Sequence, residues 1–301
     1  MSDLNMTTTY HNNSGLWADF WQEAIQEGVR RGPMNPGFWN HMAGKYERNK
    51  DLKRESERLE TIFNLLKSTG IILDGARVLD IGGGTGALAI PLAKSGARVT
   101  VVDFSEGMLQ KLKERAQKEQ VPIERTILSS WDAIDLEKEG FKKQFDIVLA
   151  SMTPAVRTPD DFRLMLEASK GVCYYSGWVK RKWSPEYYEL YRDLFHEEHR
   201  EGTHGIYLPF MYLYMLGYQP DIVLKQDEWQ SEETLDEIVE TVSGFFGVTK
   251  HIDEDKKIKI REYFARKTDN GVYHSKTMVT TGMMVWDMRK NCNRDQTPVL
   301  L

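Results

Sequence analysis

The stretch Arg77–Ile90, "RVLDIGGGTGALAI", decides the fold. A short run of apolar and β-branched residues enters a glycine-rich turn and leaves as a second apolar run, the pattern of a strand, a loop and a helix start. Glycine lets backbone approach a ligand closely, and the first turn of a helix offers unpaired N–H groups. The glycines permit two registers. Gly82, Gly84 and Ala87 fit G-x-G-x-x-G/A, a dinucleotide-binding turn. Asp80, Gly82, Gly84 and Gly86 fit D-x-G-x-G-x-G instead.

Around this turn, strand and helix patterns alternate. "ARVTVVDF" reads as the next strand and "SEGMLQKLKERAQKEQ" as the next helix, with Ser105 as N-cap. "IERTILSSWD", "FDIVLASMTP", the helix "PDDFRLMLEASKG" and the strand "VCYYSGW" continue the series. Such alternation predicts βαβ units and a parallel, doubly wound sheet in the α/β class. Upstream, three helical patterns precede the first strand, starting at Ser14 and ending at Gly70. Downstream, residues 183–218 read as helical and aromatic-rich, "PDIVLKQDEW" as a strand, and "KTMVTTGMMVWDM" as the final strand. A helix opened by Ser231 and Thr234 and another over "DEDKKIKIREYFARK" fall between those two strands. The organisation read here is a disordered stretch over 1–13, a lid of N-terminal helices over 14–70, a cofactor-binding core over 71–178, and the rest of the sheet with helical substrate-side insertions over 179–301.

Composition narrows the function. The chain has 301 residues, 41% apolar and 28% charged, which is ordinary for a globular protein. A formal charge of −5 argues against nucleic acid or anionic lipid as the main partner. Two cysteines, Cys173 and Cys292, are too few for a disulfide framework or a thiolate metal centre, so no metal is expected. The polar N-terminus lacks a secretory layout, and no apolar run reaches the roughly 18 residues of a membrane span, so we read the chain as cytoplasmic.

Three neighbours separate the two glycine registers. Asp80, just before the loop, would repel a pyrophosphate but could pair with an amino group. Asp103, at the end of the second strand, can accept hydrogen bonds from both hydroxyls of a ribose. Trp131 beside Asp132 offers an apolar face and an acceptor for an adenine ring and its amine. A ligand with an amino group, a ribose and an adenine but no pyrophosphate is S-adenosylmethionine, with S-adenosylhomocysteine as its product. From Trp39 to Trp178 the sequence resembles the class I S-adenosylmethionine-dependent methyltransferases, through "VLDIGGGTG", "VVDFSEGML", "SSWDAIDL" and "FDIVLASM". The resemblance implies a Rossmann-like sheet of seven strands, the last antiparallel and inserted beside the sixth. It also implies that Asp80, Gly82, Gly84 and Gly86 surround the methionine part, that Asp103 lies on the ribose, that Phe104 and Met108 border the adenine, and that Ser105 is among the cofactor-binding residues. Asp132 would meet the adenine amine, Ser151 and Met152 would face the sulfonium, and Tyr46 would close over the cofactor.

Methyl transfer is an in-line displacement that depends on alignment and exclusion of water, so no particular catalytic side chain is dictated. His41 and His204 are the candidate bases. "SMTPAV", Ser151–Val156, departs from the tetrapeptide used for nucleobase amino groups. The segment "VKRKW", containing Lys180–Lys182, reads as a solvated loop after a strand. His196 and His199 could share a helix face with a metal, His204 following, although a polar surface is the simpler reading. The dense aromatics after Tyr174 suit core packing and, in part, a pocket for a small apolar or cationic molecule. Trp21, Trp39, Thr153 and Trp178 are placed on that substrate side. A small-molecule methyltransferase is the expected function. A tRNA or protein methyltransferase, a non-catalytic S-adenosylmethionine-binding protein and a nicotinamide oxidoreductase are the alternatives.

Overall fold

The computed structural model describes residues 7–27, 36–48, 52–199, 205–247 and 250–290. Its centre is a seven-stranded sheet in the order β3-β2-β1-β4-β5-β7-β6. Strands β1 (Arg77–Ile81), β2 (Arg98–Asp103), β3 (Arg125–Leu128), β4 (Phe145–Ser151) and β5 (Ser169–Lys182) run parallel. Strand β7 (Val272–Asp287) is inserted antiparallel between β5 and β6 (Asp221–Thr234). The strand order reverses between β1 and β4, and the crevice at such a switch point lies beyond the carboxyl ends of the strands.

Helices cover both faces because β1 and β4 are apolar on both sides. On one face α3 (Leu52–Ser68), α4 (Ala89–Lys94) and α5 (Glu106–Lys118) build a core with Val78, Leu149 and Tyr174. On the other, α1 (Thr7–Glu27), α6 (Pro159–Ala168) and α8 (Tyr207–Met215) pack with Trp131, Cys173 and Trp286. Local sequence starts these helices where it should. Ser105 accepts from Met108 N–H at the head of α5, and Thr158 and Asp161 form a reciprocal capping box on α6, with Pro159 in its first turn. Each such cap is worth about 1 kcal/mol.

Four boundaries differ from the sequence reading. Helix α1 begins at Thr7, inside the stretch expected to be disordered; residues 1–6 lie outside the described residues. Strand β5 continues through Lys182, so Lys180–Lys182 pair with β7 instead of forming a loop. Strand β6 runs to Thr234, so Ser231 is a strand residue whose hydroxyl meets that of Ser275. The cap of α9 (Leu235–Gly247) is Thr234 with Glu237, three residues later than expected. The reason is common to the last three: long antiparallel strands extend past the carboxyl edge of the parallel sheet, because cross-strand pairing continues there.

This extension carries a third core. Tyr187 and Leu190 of α7 (Pro185–Phe195), Val242 and Phe246 of α9, and Ile260 and Phe264 of α10 (Glu254–Ala265) pack with Tyr273. Helix α2 (Pro36–Arg48) lies against α5. Among the described residues, no helix is long and apolar enough to cross a membrane.

Phe162 organises the α1–α6–α8 face. It is fully buried, stacks on Trp286 at 5.6 Å and meets Trp21, Tyr175 and Tyr212 edge-on. Phe162→Ala is expected to lower unfolding stability by about 3–5 kcal/mol in urea titrations. A loss below about 1 kcal/mol would show that this face closes without it.

Candidate functional site

The carboxyl ends of β1, β2 and β4 meet around the glycine loop. Gly82, Gly84 and Gly86 take φ of +65°, +56° and +83°. The left-handed positions therefore follow the D-x-G-x-G-x-G register, and Ala87 has no part in the turn's positive φ angles. A Cβ on Gly82 would overlap Thr153 Oγ1, and one on Gly86 would overlap Leu112 Cδ1, so backbone angle and space both require glycine. Arg115 of α5 holds the loop by donating to Thr85 O at 2.8 Å.

Asp103 is buried at the end of β2. Its Oδ2 accepts from Gly84 N–H at 2.9 Å and its Oδ1 from Ser105 N–H at 2.8 Å. One carboxylate thus ties the glycine loop to the start of α5. Burial pushes its acid strength down, raising the pKa, against those same hydrogen bonds. Asp80 lies deeper, beneath Gly83 and near the backbone of Ala89 at the start of α4. Its Oδ2 has no hydrogen-bond partner among the described residues. Burial first, and the charge of Asp103 second, push its carboxyl up to about 7, with Arg58 opposing.

Arg58 arrives from α3. Its Nη2 donates to Ser151 Oγ at 2.8 Å, and Ser151 Oγ lies 3.0 Å from Ser176 Oγ on β5. Ser176 also accepts from Met152 N–H, through its carbonyl at 3.0 Å and its hydroxyl at 3.2 Å, which holds Met152 in a left-handed conformation (φ +51°). Across the loop, Asn40 of α2 accepts from Ser105 Oγ at 2.7 Å and Gly107 N–H at 2.9 Å. At α9, Phe38 of α2 lies 3.6 Å from the Cβ position of Gly244. Helix α2 therefore spans from the cofactor-side helix α5 to the extension.

The sequence profile described as a methyltransferase domain matches residues 78–176. The match spans about a third of the chain and takes in β1 to β5 as far as Ser176. The chain is 37% identical over 110 residues to an uncharacterised protein of Haemophilus influenzae, covering 36% of this chain and 39% of that protein. It is 37% identical over 95 residues to the ubiquinone biosynthesis O-methyltransferase of Coxiella burnetii, covering 32% and 38%. It is also similar to the magnesium protoporphyrin IX methyltransferase of Synechocystis PCC 6803 with bound S-adenosylhomocysteine, at 15% identity and a TM-score of 0.44 over 93% and 99% of the two chains. The chain thus matches about two fifths of the length of either sequence relative.

The methyltransferase domain gathers Asp80, Gly82, Gly84, Gly86, Asp103, Ser105 and Met108 around one loop, with Ser151, Met152 and Thr153 opposite. Phe104 is half-buried beside them, and Asp132 is exposed on a 3-10 turn over Trp131–Ala133. Two tryptophan placements are corrected. Trp131 is fully buried, donating its indole N–H to Asp161 O at 2.9 Å under α6, so it offers no face to an adenine. Trp21 is buried edge-on to Phe162 and Tyr212, a core residue rather than a substrate contact. Trp39 is half-buried on α2 against Phe38, and Trp178 is half-buried on β5. The side chains of His41 and Tyr46 and the whole of His204 lie outside the described residues. His196 and His199 share no helix face: α7 ends at Phe195, His196 is its exposed left-handed cap, and His199 packs edge-on to Tyr191 at 4.8 Å. The sequence reading missed Arg58, Asn40 and Ser176, since nothing local in a helix or strand marks which polar residue reaches a distant loop.

Asp80 makes stability depend on pH. Between its ordinary value of 3.8 and about 7, the folded protein keeps a proton that the unfolded chain has released. Stability therefore falls as pH rises through that window. Asp80→Asn keeps the shape of the side chain while removing the titration. Its urea stability is expected to gain on the wild type by on the order of 2–4 kcal/mol between about pH 4 and about pH 8. Parallel pH profiles of the two proteins would contradict this assignment.

Proposed function

We propose that the protein is an S-adenosylmethionine-dependent methyltransferase acting on a small organic molecule. The observation that carries the reading is the pairing of a left-handed D-x-G-x-G-x-G turn with a buried Asp103 at the next strand end. The fit to the cofactor rests on this chain's own groups. Asp80 Oδ2 is a buried acceptor without a partner among the described residues, suited to an α-amino group, and the neighbouring Arg58 is suited to an α-carboxylate. Asp103 would accept from the ribose hydroxyls while keeping its two backbone donors, because each carboxylate oxygen has a second lone pair. Phe104 and Met108 would border the adenine, with Asp132 at its exocyclic amine.

When bound, S-adenosylmethionine supplies an electrophilic methyl group on a sulfonium. The carboxyl end of β4 orients the acceptor toward it through Ser151, Met152 and Thr153. The α2 bridge and the extension exclude water, which favours in-line attack over loss to solvent. An acceptor that is already an anion or a free amine needs no base before transfer. The −5 charge favours this reading over an RNA methyltransferase.

Calorimetry with S-adenosylmethionine, S-adenosylhomocysteine and NAD tests the proposal. Both adenosyl ligands are expected to bind, and Asp103→Ala to weaken them about 100-fold by removing a charged acceptor. Arg58→Gln is expected to shrink the preference for S-adenosylhomocysteine over methylthioadenosine, which lacks the amino-acid part. Binding of NAD but neither adenosyl ligand would overturn the reading.

A further inference from the structure

Helix α2 is pinned on two opposite faces. Phe38 and Asn40 are two residues apart, which in a helix separates them by about 200° around the axis. Asn40 meets α5, where its Oδ1 accepts from Ser105 Oγ at 2.7 Å and from Gly107 N–H at 2.9 Å. Phe38 meets α9, 3.6 Å from where a Cβ of Gly244 would lie. Trp39 and the buried Ala43 share a face between these two. The contact with α5 is close because Gly107 has no side chain. A Cβ there would lie 3.1 Å from both Cα and Oδ1 of Asn40, so the helices meet backbone against backbone.

The Asn40 carboxamide also completes the head of α5. Gly107 N–H lies in the first turn of that helix and can only donate, so the carboxamide oxygen is the atom that meets it. The Ser105 hydroxyl donates to the same oxygen while accepting from Met108 N–H at 3.2 Å, which fixes a fully buried side chain. Two N–H groups left open at the start of α5 are thus satisfied, one by Ser105 and one by a different helix. The cap is whole only while α2 is docked. Ser105 N–H in turn donates to Asp103 Oδ1 at 2.8 Å, and Asp103 Oδ2 accepts from Gly84 N–H at 2.9 Å. A continuous chain of polar contacts therefore runs from α2 through Ser105 and Asp103 to the glycine loop.

From this geometry we propose that Asn40 is a positioning residue for the cofactor: it fixes Asp103 through Ser105, and through Phe38 on α2 it makes cofactor affinity depend on the extension. The inference rests on the methyltransferase reading and adds to it a route by which α9 influences the cofactor. Asn40 acts through Ser105 rather than on the ligand. With α2 displaced, the Ser105 hydroxyl and Gly107 N–H lose their shared acceptor. The turn between β2 and α5 then relaxes, and Asp103 is less firmly aimed at a ribose. A shift of Phe38 at α9 reaches Asp103 by the same path. By reciprocity, cofactor binding tightens α2 on α9.

The test measures S-adenosylhomocysteine affinity by calorimetry on the full-length protein, with a urea titration of each variant to confirm folding. If the wild type does not bind, the methyltransferase reading fails, and such a failure is distinct from any difference among the variants. Asn40→Ala is expected to weaken binding about fivefold to twentyfold through the loss of two hydrogen bonds. Asn40→Asp keeps an acceptor oxygen in place at a helix N-terminus that favours negative charge, and is expected to stay within about threefold of the wild type. Gly107→Ala suits the helix by itself but crowds Asn40, and is expected to weaken binding about threefold to tenfold. Phe38→Ala, on the opposite face of α2, is expected to weaken it at least about threefold. Phe38→Leu takes its place should that variant fail to fold. In the double variant Phe38→Ala/Asn40→Ala the affinity is expected to lie within about twofold of Asn40→Ala alone, because α2 is already released. Unchanged affinity in Asn40→Ala, Gly107→Ala or the Phe38 variant, Asn40→Asp as weak as Asn40→Ala, or losses that multiply in the double variant would overturn the proposal.

Discussion

The site depends on one buried carboxylate shared between two backbone segments. Asp103 accepts from Gly84 and Ser105, so the glycine loop after β1 and the start of α5 after β2 are fixed relative to each other. Burying a charge costs free energy, and the raised pKa of Asp103 expresses that cost. Two backbone hydrogen bonds offset part of it. Asp80 sits beneath the same loop with one oxygen unpartnered among the described residues, and the charge of Asp103 adds to its cost of ionisation. A ligand that brings a positive amino group and hydroxyl donors would stabilise both, which links cofactor affinity to the cost of burying this pair.

The second constraint is the length of β5, β6 and β7. Their antiparallel pairing continues beyond the point where the parallel strands end, and α7, α9 and α10 pack on the projecting part. The projection forms a wall above the crevice where β1 and β4 diverge. Helix α2 links this wall to the cofactor side, through Asn40 at α5 and Phe38 at Gly244 of α9. Gly107 has the complementary role on α5, since a Cβ there would lie 3.1 Å from Asn40 Cα. Through these contacts α2 bridges the helix that follows the glycine loop's partner strand and the projecting extension.

Much of the sheet was legible because its signals are local. The run of apolar residues into glycine at Arg77–Gly86, the helix capped by Ser105, and the acidic end of β2 each occupy a few consecutive residues. The choice between the two glycine registers was also legible, through Asp80, and the positive φ of Gly86 agrees with it. Trp131 and Trp21 misled because an aromatic side chain fits a core and a binding face equally well. Only packing against Phe162 and the hydrogen bond to Asp161 separate those uses.

The sequence by itself determined the parallel sheet, the glycine turn and the acidic residues that flank it, since backbone conformation and strand periodicity are set by near neighbours. Tertiary structure decided which side chains share the crevice. Arg58 reaches Ser151 across 93 residues of chain. Arg181 faces Trp178 and Trp229 because a bulge in β5 reverses its side. Those contacts depend on strand register and helix docking, and both are fixed by pairing between segments far apart in the chain.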